Sequence, residues 1–195
     1  MAATVGQKAP AFSAKDQSGA TVTQATYAGK YVVLYFYPKD NTPGCTVEAC
    51  AFRDDSAKLK AAGAVVLGVS PDSEKSHQKF IEKFSLPFQL LVDTDNTLST
   101  AYGAWGEKSM YGRSYMGVVR STFLIGPDGK LAHVWPKVKV EGHSDDVLAT
   151  IQALKAGKPA PAAPTKVTKA AKVTKAKAAP KKPAAKAKKA APKKR

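Results

Sequence analysis

Cys45 and Cys50 are the residues of this 195-residue chain best suited to covalent chemistry, and they stand five apart in the stretch YFYPKDNTPGCTVEACAFRD. A thiolate is a nucleophile and a redox centre, so the question is whether the surroundings favour the anion. Upstream, Tyr31 to Tyr37 is a near-continuous β-branched and aromatic run, which reads as a buried strand. The segment from Pro38 to Gly44 is too rich in Pro, Gly and Asx residues to continue it. From Val47 to Ala61 helix formers run without Pro or Gly, and Gly63 closes the helix. Thr42 followed by Pro43 suits an N-cap and a first helical position. That register places Cys45 in the first helical turn, near unpaired N–H groups and the positive end of the helix dipole, where a thiolate is favoured. Cys45 is the candidate nucleophile; the competing reading is a small buried hydrophobe. Two cysteines at this spacing make neither a four-ligand zinc site nor a Cys-x-x-Cys pair. His77, His133 and His143 are scattered and suit surface or core roles better than a metal site.

Pro38, Thr42 and Cys45 match the Pro-x-x-x-Thr-x-x-Cys motif of the peroxiredoxins. The longer string from Thr42 to Phe52 resembles the bacterioferritin-comigratory, or peroxiredoxin Q, subfamily, and the likeness runs from about Val5 to Leu154. The resemblance implies a thioredoxin-like fold, a central mixed sheet flanked by helices. It also implies thiol peroxidase activity on hydrogen peroxide and organic hydroperoxides, with no metal, haem or flavin cofactor. By the same resemblance Cys45 is the peroxidatic cysteine and Cys50 the resolving one. The two close an intramolecular disulfide that a dithiol protein such as thioredoxin reduces. The Thr42 hydroxyl, the Arg120 guanidinium and the Cys45 backbone N–H would donate to the peroxide oxygens, where negative charge spreads in the transition state. Pro38 would shield the thiolate from water and Glu48 would orient Arg120. Arg120 fits an exposed edge-strand position as well, and Glu48 a solvated helix face. Five helical residues separate Cα atoms by about 8.7 Å, whereas a disulfide needs them within about 7 Å. The helix that starts near Cys45 is therefore expected to unwind between peroxide attack and disulfide closure.

The elements that must position these residues alternate along the chain. Ala20 to Tyr27 reads as a short strand or loop, and Ala64 to Ser70 as a buried strand. Ser73 caps a helix with an apolar stripe of Phe80, Ile81 and Phe84. Phe88 to Val92 reads as a strand and Thr97 to Tyr102 as a short helix. Ser121 to Ile125, where Arg120 enters, and Lys130 to Trp135 flank the hairpin signal Gly126-Pro127-Asp128-Gly129. Ser144-Asp145-Asp146 opens a last helix that turns Val147, Leu148, Ile151 and Leu154 inward. This order argues an α/β fold with an antiparallel hairpin on its sheet.

The charge is uneven. Of 31 Lys and Arg, 14 lie from Lys158 to Arg195, a segment without a single acid, so residues 1–157 hold 17 bases against all 15 acids. The expected organisation is a peroxiredoxin domain over 1–157 and a disordered Lys/Ala/Pro-rich tail over 158–195. The tail, with six prolines and no aromatic residue, cannot bury enough surface to fold alone. It resembles linker-histone and histone-like tails, which implies non-specific binding to DNA or another polyanion; a merely solubilising extension competes with that reading. No basic-then-apolar start suggests a secretory signal, and no run of about 18 apolar residues suggests a membrane span. Transient catalytic disulfides suit a reducing compartment, so a cytoplasmic, nucleoid-associated monomer is expected, with a nuclear address as the alternative. Two rival functions are a thiol-disulfide oxidoreductase and a histone-like DNA-binding protein on a scaffold domain.

Overall fold

The computed structural model describes residues 3–110 and 113–158. The expected basic tail, apart from its first residue, lies outside the described residues.

The sheet grows outward from β3 (Tyr31–Phe36), which is buried on both faces. Val32, Leu34 and Phe36 join one apolar cluster while Val33, Tyr35 and Tyr37 join the other. The period of two along a strand explains why the run is continuously apolar rather than alternating. β3 pairs in parallel with β4 (Ala64–Ser70), and β4 in parallel with β5 (Gln89–Val92). On its other side β3 pairs antiparallel with β8 (Ser121–Ile125), which pairs antiparallel with β9 (Leu131–Trp135) across the expected hairpin. The mixed order β5-β4-β3-β8-β9 agrees with the α/β fold expected.

Four helices supply one cluster: α1 (Pro43–Asp54), α2 (Ser56–Ala61), α3 (Glu74–Phe84) and α5 (His143–Lys155). The other face is covered by α4 (Thr97–Tyr102) and by Ala9, Phe12 and Val22 of the N-terminal segment. That segment carries β1 (Ser13–Lys15) and β2 (Thr21–Thr23), followed by a 3₁₀ turn over Gln24–Tyr27. Among the described residues no helix is long and apolar enough to cross a membrane.

Several expectations need correction. The single helix from Val47 to Ala61 is two helices broken at Asp55, whose carboxylate accepts from Ser144 Oγ and Lys58 Nζ, both at 2.7 Å. An Asp whose side chain bonds to α5 sits at φ −92°, ψ 5° between the two helices. Arg120 is in no strand: it lies in the link between β7 (Arg113–Val118) and β8. β7 pairs antiparallel with β6 (Trp105–Met110), a separate hairpin that charged and glycine residues hid from a pattern reading. α5 begins one residue earlier than expected, at His143, after Gly142 at φ 72°. Ser73 does cap α3, accepting from the Ser76 N–H, and Phe80, Ile81 and Phe84 face the core. His77, His133 and His143 are all buried, so of the two roles anticipated they take the core one.

Candidate active site

Cys45 sits in the first turn of α1 because Pro43 fits the start of a helix, where its missing N–H costs nothing. Thr42 occupies the N-cap position with extended backbone, but its side chain does not cap the helix. Its hydroxyl donates to the Lys39 carbonyl at 3.0 Å, closing the loop on itself. The thiol is 1% exposed and shares a cluster with Tyr35, Tyr37, Ala49 and Phe52. One turn on, Glu48 lies on the same inward face, also 1% exposed. Cys50, at the fifth residue, falls on another side of the helix and is only half-buried. Both cysteines are free thiols within one unbroken helix.

Arg120 completes the cluster from 75 residues away. Its Nη2 donates to Cys45 Sγ at 3.2 Å, and its Nη1 donates to Glu48 Oε2 in an ion pair. One rigid fork thus serves the sulfur and the carboxylate together, which an ammonium group cannot do. Burial pushes the Glu48 carboxyl up to about 7, against the opposing pull of the Arg120 guanidinium. Burial also disfavours the Arg120 charge, but Glu48 and Cys45 outweigh it and raise Arg120 above its ordinary value. Gly44 permits the approach: a Cβ there would lie 3.3 Å from Arg120 Nη2. The link carrying Arg120 is held by its neighbours, since Val119 N–H donates to Ala104 O at 2.7 Å and Val138 N–H to Arg120 O at 3.1 Å.

The structure thus brings Cys45, Glu48 and Arg120 together and leaves Cys50 a turn away. Pro38 is half-buried in the loop before α1, where it makes no hydrogen bond through nitrogen. Sequence reasoning missed Lys108 of β6, whose Nζ donates to Val118 O at 3.0 Å, two residues before Arg120. Burial first, and then the Arg120 charge, lower the Lys108 ammonium, while Cys45 pulls it back up. Nothing in the surroundings of Lys108 in sequence signals this, because the contact crosses a hairpin. Also missed was Asp40, which reads as an ordinary turn residue and is 5% exposed. Among the described residues no three His, Cys, Asp or Glu side chains are grouped to hold a metal ion.

A thiol and a guanidinium are paired at a helix start on a mixed sheet, with a second thiol in the same helix, an arrangement that can support thiol redox chemistry. The profile of the AhpC/TSA family matches residues 5–134. Peroxiredoxin Bcp of Bacillus subtilis (strain 168) is 51% identical over 152 residues, 78% of this chain and 97% of that protein. Peroxiredoxin Bcp of Escherichia coli (strain K12) is 47% identical over 143 residues, 73% of this chain and 92% of that one. Among solved structures, a Xanthomonas campestris peroxiredoxin Q superposes with a TM-score of 0.72 at 42% identity, covering 76% of this chain and 97% of its own. The bacterioferritin comigratory protein of the same organism, described for its alkyl peroxide reduction activity, superposes with a TM-score of 0.72 at 41% identity over 77% of this chain and 99% of that one. The chain belongs to the AhpC/TSA family. Within it the similarity is to the Bcp, or Q, peroxiredoxins, so the fold is the thioredoxin-like one and the protein is an oxidoreductase of the peroxidase class.

Proposed function

We propose that the chain reduces hydrogen peroxide and organic hydroperoxides through Cys45, with Cys50 as the resolving thiol and thioredoxin as the reductant. The observation that carries this reading is the 3.2 Å contact from Arg120 Nη2 to Cys45 Sγ, backed by the Glu48 carboxylate. A guanidinium on the sulfur stabilises the thiolate and is aimed where the attacked and leaving oxygens gather charge. The Cys45 thiolate attacks the nearer oxygen, forming S–O as O–O breaks; the leaving oxygen takes a proton and departs as water or an alcohol. The Thr42 hydroxyl leaves Lys39 O to donate to the peroxide, and Pro38 keeps water from the sulfur. Cys50 then displaces the sulfenic oxygen as water, forming the Cys45–Cys50 disulfide. A helical i,i+5 pair is about 8.7 Å apart, so α1 unwinds locally first. A dithiol protein reduces the disulfide by exchange.

The test is peroxide consumption coupled to thioredoxin and its reductase. Cys45→Ser abolishes turnover; Cys50→Ser keeps the first turnover but not recycling, and one equivalent of peroxide leaves sulfenic acid on Cys45. Substantial turnover by Cys45→Ser, or only intermolecular disulfides in the wild-type protein, would refute the scheme.

The segment from Lys158 to Arg195, with 14 cations and no anion, supports a second element of the proposal. It binds DNA through phosphate neutralisation without reading sequence, since it has no aromatic residue to stack on bases. The peroxidase is thereby held beside a nucleoid in the cytoplasm, removing peroxide next to a vulnerable polymer.

A further inference from the structure

The loop that delivers Cys45 is anchored by a buried carboxylate with no part in the chemistry described above. Asp40 lies midway between Pro38 and Thr42. Its Oδ1 accepts from the Tyr37 hydroxyl at 2.7 Å; its Oδ2 accepts from Ser76 Oγ at 2.7 Å and faces His77 Nδ1 at 2.9 Å. Its backbone N–H donates to Asp72 Oδ2 at 2.8 Å, and that carboxylate is fixed in turn by Ser70 Oγ at 2.7 Å. His77 is fully buried, with Nε2 3.2 Å from the Leu91 carbonyl. Burial alone would raise the Asp40 carboxyl, yet His77, Ser76 and Tyr37 outweigh it and hold the group below its ordinary value. The loop is thus tied downward to the core beneath Cys45 by Tyr37 and sideways to the first turn of α3 by Ser76 and His77.

Neighbouring residues extend the attachment. Asn41 holds a left-handed backbone conformation at φ 56°, which Asn tolerates better than most side chains. Its Oδ1 is 3.4 Å from Lys83 Nζ of α3. Further along α1, Arg53 Nη1 donates to the Phe84 carbonyl at the end of α3, at 2.9 Å. Helix α3 therefore holds both ends of the segment that carries the two thiols. Cys45 itself has no bond to α3; its place depends on how firmly the five preceding residues are held.

We propose that Asp40 is a positioning residue for peroxide attack: by fixing the 38–42 loop on α3 it sets where the first turn of α1, and with it Cys45, stands against Arg120. This rests on Cys45 being the nucleophile. Disulfide closure does not need the anchor, because Cys50 sits toward the Arg53 end and Cys45 must leave its seat to reach it. The two half-reactions thus respond differently to loss of Asp40, which a general loosening of the fold would not produce.

The experiment is rapid mixing of the reduced full-length protein with hydrogen peroxide, following attack and disulfide closure as separate phases in wild type, Asp40→Asn and Ser76→Ala. An Asn amide keeps the shape but loses the charge and one of the two accepting oxygens that Tyr37, Ser76 and His77 share, so the anchor is weakened. A misplaced nucleophile slows attack by about 10- to 100-fold, and closure is expected unchanged or faster. Ser76→Ala removes one donor and leaves the carboxylate, so a smaller slowing of attack with the same pattern is expected; it decides the matter if Asp40→Asn does not fold. Wild-type attack in folded Asp40→Asn, or with Asp40→Asn unfolded in Ser76→Ala, overturns the proposal, as does equal slowing of both phases. Mass spectrometry locates the sulfenic acid in each protein carried on a Cys50→Ser background, where it is not resolved. If Cys50→Ser forms none on Cys45, the reading of the nucleophile falls as well; wild-type attack in Asp40→Asn with sulfenic acid on Cys45 of Asp40→Asn/Cys50→Ser refutes the anchor alone.

Discussion

Replacing Arg120 by Met removes two contacts whose losses are read in different experiments. The contact to Cys45 Sγ is a charge-assisted hydrogen bond at 3.2 Å. Such bonds contribute about 1.5–3 kcal/mol, which corresponds to an attack on peroxide slowed by about 10- to 150-fold. The contact to Glu48 bears on stability, since a carboxylate 1% exposed is left without its cation. Breaking a buried pair from one side costs about 3–5 kcal/mol if the charge survives. The carboxyl has an escape, because burial already pushes it up to about 7 with Arg120 present, and without Arg120 it rises further. A carboxyl whose folded value exceeds its unfolded value binds more protons folded, so its stability contribution is intact at low pH and is lost as pH climbs from about 4.5 to the folded value. The stability gap between wild type and Arg120→Met should therefore be small at pH 5 and widen above pH 7. Urea titrations across that range measure it, and stopped-flow peroxide reduction measures the rate. In the double variant Arg120→Met/Glu48→Gln the pH-dependent gap closes while attack stays slow. Recovery of the rate in the double variant, or a gap independent of pH in the single one, would refute this division of roles. Arg120→Lys should fall between, because one ammonium cannot serve sulfur and carboxylate at once.

Four further outcomes are expected. Oxidation to the Cys45–Cys50 disulfide should speed amide exchange over residues 45–52 relative to the dithiol form, and equal protection in both would contradict local unwinding of α1. Truncation after Gly157 should abolish duplex DNA binding without changing peroxidase rates. The full chain should show a slope of log K against log salt of roughly −7 to −9 if about eight to ten phosphates are engaged; equal DNA affinity of the truncated domain at about 0.15 M salt would exclude the tether. Gly68→Ala should destabilise the core by about 1–3 kcal/mol, since its Cβ would fall 2.6 Å from Leu90 Cδ2 and 2.7 Å from the Tyr35 hydroxyl; an unchanged denaturation midpoint would show that both neighbours can move aside.

Some of this protein was determined locally. The helix start at Thr42-Pro43, the buried strand over Tyr31–Phe36 and the hairpin around Gly126–Gly129 rest on backbone preferences of the residues themselves, so neighbours in sequence suffice to place them. The place of Cys45 in the first helical turn follows from the same local logic. Other features needed the fold. The break at Asp55 depends on Ser144, 89 residues away, and α1 read by itself carries no reason to stop there. The pattern of charged and glycine residues over Trp105–Val118 lacks the alternation of a buried strand, because these strands form a two-stranded sheet of their own, apart from the main one, and only its Trp105 and Val118 end packs on the core. Arg120 and Glu48 each had two readings, buried partner or solvated face, and only the antiparallel pairing of β3 with β8 brings the arginine over the start of α1. Asp40 looked like punctuation between a strand and a helix. A carboxylate in a turn is ordinary when water solvates it; what makes this one an anchor is the arrival of α3, whose Ser76 and His77 replace that water with fixed donors.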